Sequence, residues 1–196
     1  MKLEVRTNEV IIDGYVNAVE RFSKPIRSSI GTFIEKISQG AFKRALDSTD
    51  DVLVLLDHDY SRELASTKKG TAKLREDNIG LRATVRISDE EVIEKAKEGK
   101  LRGWSFGFVP ISQDSVPKEG GTFERTVNDL ELREVSIIDD RKTPSYNATS
   151  IEIRGDDEIQ VEYRGFGFDE VEIVKEKPKI DYSRYDEVVN NLKEEN

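Results

Sequence analysis

The chain has 196 residues and a net charge of −9, with 36% apolar and 36% charged residues, one histidine and no cysteine. That length suits one globular domain with an appendage, and the acidic balance argues against a binder of phosphate backbones. Without cysteine there can be no disulfide, thiolate metal site or cysteine nucleophile, and a mechanism needing two imidazoles cannot be built from one chain. The opening, MKLEVRTNEV, has no apolar signal core, and no apolar run approaches the about 20 residues of a membrane helix. A soluble, cytoplasmic protein is the expectation.

The predicted elements begin with an apolar-rich strand over Glu9–Val19, broken at Gly14. The stretch SKPIRSSIGTF reads as a loop punctuated by Pro25 and Gly31. Ala41, Phe42, Ala45 and Leu46 share one face of a short helix over Gly40–Leu46. Next comes DVLVLLDHD, whose five aliphatics from Val52 to Leu56 predict a buried strand ending at His58. Thr71–Leu74 and Leu81–Ile87 form a hairpin across EDNIG, with turn chemistry from Asn78 and Gly80.

Ser88 and Glu91 have the spacing of a capping box, opening a helix that Gly99 closes and that buries Val92, Ile93 and Ala96. GWSFGFVPI then alternates aromatic and small residues, as in a strand that a ligand or backbone approaches closely. Thr122–Asn128 and Leu130–Ile138 read as two more strands. Together these predict an α+β domain over 1–155, mainly β, with a partly closed barrel and a few short helices.

From 156 to 196 the chain holds thirteen acids and six bases, so this tail carries −7 of the total charge. Within it Tyr185, Val188, Val189 and Leu192 fall at helical spacing behind an N-cap at Ser183. A terminal amphipathic helix on a charged tether is expected, packed on its own domain or serving a partner.

Three residues stand out for chemistry. His58, in LLDHDY, is the only imidazole, and it follows a buried run between two acids. It is a proton carrier for work near neutral pH, a structural histidine, or one ligand of an incomplete metal site with Asp57 and Asp59. Ser105 lies between Gly103 and Gly107 and between Trp104 and Phe106. If the rings are buried, its hydroxyl faces outward, either as a nucleophile or as an ordinary surface serine. Glu134, in LELREVSII, interrupts the apolar face Leu130, Leu132, Ser136 and Ile138. A buried carboxylate needs a partner, which an imidazolium, Arg125 or Arg133 could supply, unless that edge is solvated.

Seven segments in order carry a resemblance: DGYVNAV, GAFKRAL, DVLVLLDHD, TKKGTAKLREDNIGLRATV, LRGWSFGF, DLELREVSIID and PSYNATS. Over about residues 8–154 the chain resembles the tailed-bacteriophage prohead serine proteases, which are related in fold to herpesvirus maturation proteases. The resemblance implies a serine endopeptidase active in assembling proheads, with Ser105 as nucleophile, His58 as general base and Glu134 as the acidic third member. It implies no cofactor and no metal. The implied substrates are the major capsid protein, its scaffold segment and the protease itself. Self-association is left open, and neither nucleic acid nor membrane is an expected partner. The chain departs from the family pattern at Asp57, where asparagine is frequent, and at Trp104, where a smaller or unbranched apolar residue is usual. The added charge at Asp57 is expected to raise the His58 pKa. The competing reading is a non-catalytic assembly protein that keeps the fold.

Overall fold

Alternation builds the first sheet: in the strand Val10–Ala18, Val10, Ile12, Gly14 and Val16 are buried while the residues between them are partly exposed. The computed structural model describes residues 2–6, 8–28, 31–118, 120, 122–141, 160–162 and 172–175. The PSYNATS segment, the helix expected after Ser183 and most of the acidic tail lie outside the described residues.

In chain order the elements start with β1 (Lys2–Val5), β2 (Val10–Ala18), β3 (Ile26–Ser28), β4 (Gly31–Ile37), α1 (Ala41–Asp47) and β5 (Leu53–Leu56). Then come β6 (Asp59–Ser66), β7 (Ala72–Glu76), β8 (Gly80–Ile87) and α2 (Glu90–Lys97). The last are β9 (Leu101–Pro117), β10 (Thr122–Asp139), β11 (Gln160–Glu162) and β12 (Glu172–Lys175).

One sheet runs β12-β1-β2-β8-β7, and the other runs β11-β9-β10-β4-β3 with β5 and β6 branching from β10. Among the described residues the chain is mainly β with two short helices, and the expected barrel is absent: neither sheet closes on itself. The reason lies in β10. Its first half pairs in parallel with β4 and its second half in parallel with β5, while β9 lines its whole other edge. Two short strands thus share the edge of β10 opposite β9, and no ladder links the two sheets among the described residues. The sheets share a core instead, with Ile12, Val16 and Val85 from one side meeting Phe106, Phe108, Val135 and Ile137 from the other.

Several local expectations need correction. The expected loop after Ser23 contains β3 and β4, where Ile26 and Phe33 are buried partners. Gly14 does not break β2; the irregularity falls between Tyr15 and Asn17. The helix α2 is capped one residue later than Ser88, since Asp89 Oδ1 accepts the Val92 N–H at 3.0 Å. The two strands expected over 122–138 are one.

Candidate active site

The aliphatic run Leu53–Leu56, half-buried at Leu53 and buried from Val54 on, pairs with β10 and ends in a two-residue turn between Leu56 and Asp59. Both turn residues have positive φ, 54° at Asp57 and 61° at His58, as a type I′ hairpin requires. Aspartate and histidine both visit this region more often than most side chains, yet a non-glycine residue held there still costs about 1 kcal/mol or more. Three hydrogen bonds to β10 fix the turn. Asp57 N–H donates to the Ile137 carbonyl at 2.9 Å, His58 N–H donates to Ser136 Oγ at 3.1 Å, and Asp57 Oδ1 accepts the Asp139 N–H at 3.1 Å.

The imidazole meets Glu134 directly. His58 Nδ1 lies 2.7 Å from Glu134 Oε1, with the two side chains 8% and 2% exposed. The second carboxylate oxygen, Oε2, accepts the Ser136 hydroxyl at 2.5 Å. The other proposed partners of Glu134 are engaged elsewhere. Arg125 forms a buried ion pair with Glu35, and Arg133 meets Glu131 at 2.9 Å.

Simple alternation had put Leu130, Leu132, Glu134, Ser136 and Ile138 on one face. A β-bulge between Leu132 and Glu134 resets the pattern: Leu132 faces Phe108, but Glu134 faces Gly107. Val135 and Ile137 therefore enter the core with Phe106 and Trp104. Glu134 and Ser136 turn to the opposite face, and there Glu134 sits against Gly107 and Ser136 against Ser105. Directly opposed residues of an antiparallel pair share a face and stand about 5 Å apart.

Ser105 therefore lies on the face over which His58 and Glu134 meet, one strand away from the carboxylate. Its hydroxyl points away from the buried Trp104 and Phe106, as the pattern predicted, but not into solvent, because Ser105 is fully buried. Of the three predicted residues, the fold puts two in direct contact and sets the third across the β9–β10 ladder from the serine that bridges them.

A cleft of about 640 Å³ opens beside the imidazole, lined by Asp57, His58, Tyr60, Ser61, Arg62 and Arg141 among others. It exists because the β5–β6 register jumps from Leu56–Asp59 to Leu55–Glu63, which takes residues 60–62 out of the ladder. Burial and the nearby Glu134 carboxylate push the Tyr60 phenol above its ordinary range. Behind the turn, Asp139 is buried against Lys95 and Arg141, each at 2.9 Å. Burial alone would raise the Asp139 carboxyl, but hydrogen bonds from Lys95 and the Arg141 N–H, with the Arg141 charge beside them, outweigh it and hold the group below the usual carboxylate range. Sequence reasoning missed Ser136 and Asp139, whose roles depend on register.

The supposed metal ligands are occupied otherwise. Asp57 accepts the Asp139 N–H, and Asp59 Oδ1 accepts the Ser61 N–H and hydroxyl at 2.8 and 2.6 Å. Among the described residues no group of three or more His, Cys, Asp or Glu could hold a metal ion, and no helix is long and apolar enough to cross a membrane.

Neither the curated proteins nor the solved structures contain a match to the chain. A family model described as caudovirus prohead serine protease matches residues 1–162, which spans every element from β1 to β11. The chain belongs to the caudovirus prohead serine protease family.

Proposed function

We propose that this chain is a serine endopeptidase with Ser105 as nucleophile, His58 as general base and Glu134 as the group that orients the base. The family supplies a peptidase role in capsid maturation. The observation that carries the residue assignment is the 2.7 Å contact of His58 Nδ1 with Glu134 Oε1, over the face that bears Ser105.

A carboxylate at Nδ1 holds the proton on that nitrogen and leaves Nε2 basic. Nε2 takes the Ser105 hydroxyl proton as Oγ attacks a peptide carbonyl. The imidazolium, stabilised by Glu134, returns that proton to the leaving amine, and water then clears the acyl-enzyme by the same route in reverse. Because Ser105 is fully buried, a substrate must displace what lies over it before Oγ is reached. The edge of β9 next to Ser105 accepts an antiparallel strand: residues 160–162 pair there with Phe106–Phe108. An extended substrate segment would use the same backbone groups.

The substrates in this reading are the capsid protein with its scaffold segment and the protease itself, inside an assembling prohead. Confinement raises their effective concentration, so a modest catalyst suffices. Co-expression with the capsid protein, followed by mass spectrometry of the products, tests the reading. The intact chain should yield shortened capsid protein, and Ser105→Ala should leave it full length. Equal product masses from the two would instead favour an assembly protein without catalysis.

A further inference from the structure

Glu134 Oε1 is taken by His58, yet a buried carboxylate that is free to turn about its side chain would not hold an imidazole in one orientation. Two neighbours remove that freedom. Ser136 donates its hydroxyl to Oε2 at 2.5 Å, and Ser136 Oγ itself accepts the backbone N–H of His58 at 3.1 Å. One hydroxyl thus touches both the carboxylate and the turn that presents the imidazole.

The second neighbour acts by having no side chain. Gly107 stands opposite Glu134 in the ladder, and a Cβ there would lie 2.7 Å from Oε1. Among the described residues the glycines with positive φ are Gly40, Gly70, Gly80, Gly99, Gly103 and Gly120, so Gly107 is not required by its backbone conformation. Space for the carboxylate is what requires it.

We infer that Ser136 and Gly107 are positioning residues that seat the Glu134 carboxylate on His58 Nδ1, Ser136 by hydrogen bonding and Gly107 by leaving room. The inference rests on the serine-peptidase reading for its catalytic consequence, but the seat itself can be observed without activity. A serine that merely satisfied a buried polar position would affect stability and leave the imidazole as it was.

The chain has one histidine, so its imidazole gives a single set of NMR signals. In the ¹⁵N-labelled full chain, the His58 Nδ1–H proton should appear far downfield and exchange slowly. Ser136→Ala and Gly107→Ala, each shown to be folded by its amide spectrum, should lose that resonance or move it upfield. Ser136→Cys, close in size and a weak donor, should keep part of it. In peptide hydrolysis the two disruptive variants should lose about 10- to 100-fold in kcat, as for one charge-assisted hydrogen bond, with KM changed by less than about twofold. Should Ser136→Ala fail to fold, Gly107→Ala and Ser136→Cys still carry the test. Variants that keep the wild-type resonance and kcat, even with lowered stability, overturn the inference. A wild-type chain that shows the resonance but cleaves nothing overturns the peptidase reading and leaves the seat standing.

Discussion

Glu134 Oε1 stands 2.7 Å from His58 Nδ1, and at 2% and 8% exposure the two side chains are nearly sealed from water. A carboxylate so placed has no solvent to compensate its charge, so it acts on the imidazole at full strength. Glu134→Gln keeps the size and removes the charge. Steady-state hydrolysis of a capsid-derived peptide should fall by about 10²–10⁴-fold in kcat, with the circular dichroism spectrum unchanged. Retained kcat would remove Glu134 from the machinery.

Chelation should do nothing. The carboxylates of Asp57 and Asp59 serve the Asp139 N–H and the Ser61 turn, which leaves His58 without a set of carboxylates to share a metal with. Peptide hydrolysis in an excess of EDTA should match the untreated rate. A loss restored by a divalent cation would contradict the serine mechanism.

Acid stability should reflect Asp139. Its carboxyl is held below the ordinary range: burial opposes this, and Lys95 and Arg141 outweigh the burial. A folded pKa below the unfolded one means that the stabilisation is complete above about pH 4 and is lost as pH falls through the folded value. On the other limb Lys95 is raised, by Asp140 first and by Asp139 after burial has opposed it. Its contribution is complete below about pH 10.4 and is lost as pH rises through the folded value. Lys95→Met should cost about 1.5–3 kcal/mol at pH 7, measured by urea unfolding, with the deficit shrinking at both extremes.

Far from the site, Glu35 and Arg125 pair across β4 and β10 with side chains 1% and 7% exposed, and the guanidinium lies 4.5 Å from the Phe33 ring centroid. Removing one partner strands a buried charge. Glu35→Ala should cost about 3–5 kcal/mol in urea unfolding, and the apolar double replacement Glu35→Leu/Arg125→Met should recover most of it. Equal losses in the single and double variants would contradict this account.

How much of this was legible in the sequence depends on where the information sits. The run Val52–Leu56 announced β5, and EDNIG announced the β7–β8 hairpin, because both signals are local. The strand β6 was not read, since six of its eight residues are exposed or partly so and show no clean alternation. The bulge at Arg133 reversed an alternation argument, although Glu134 still proved to be the partnered carboxylate. Asp57 and His58 were read as the end of a strand, yet they form its turn, and that turn places the ring. Ser136 could not be found from spacing, because its role arises from pairing with β9 and from the turn laid over β10. The barrel failed for a similar reason: closure depends on which strands share an edge, and composition does not encode that.

The central claim is that Ser105 is a nucleophile activated by His58, and covalent capture tests it most directly. The chain would be treated with a fluorophosphonate and digested, and the adduct located by tandem mass spectrometry. The account predicts one adduct, on Ser105, lost in His58→Ala and slowed in Glu134→Gln. An adduct on another residue, or labelling of Ser105 that proceeds at the same rate without His58, would contradict it.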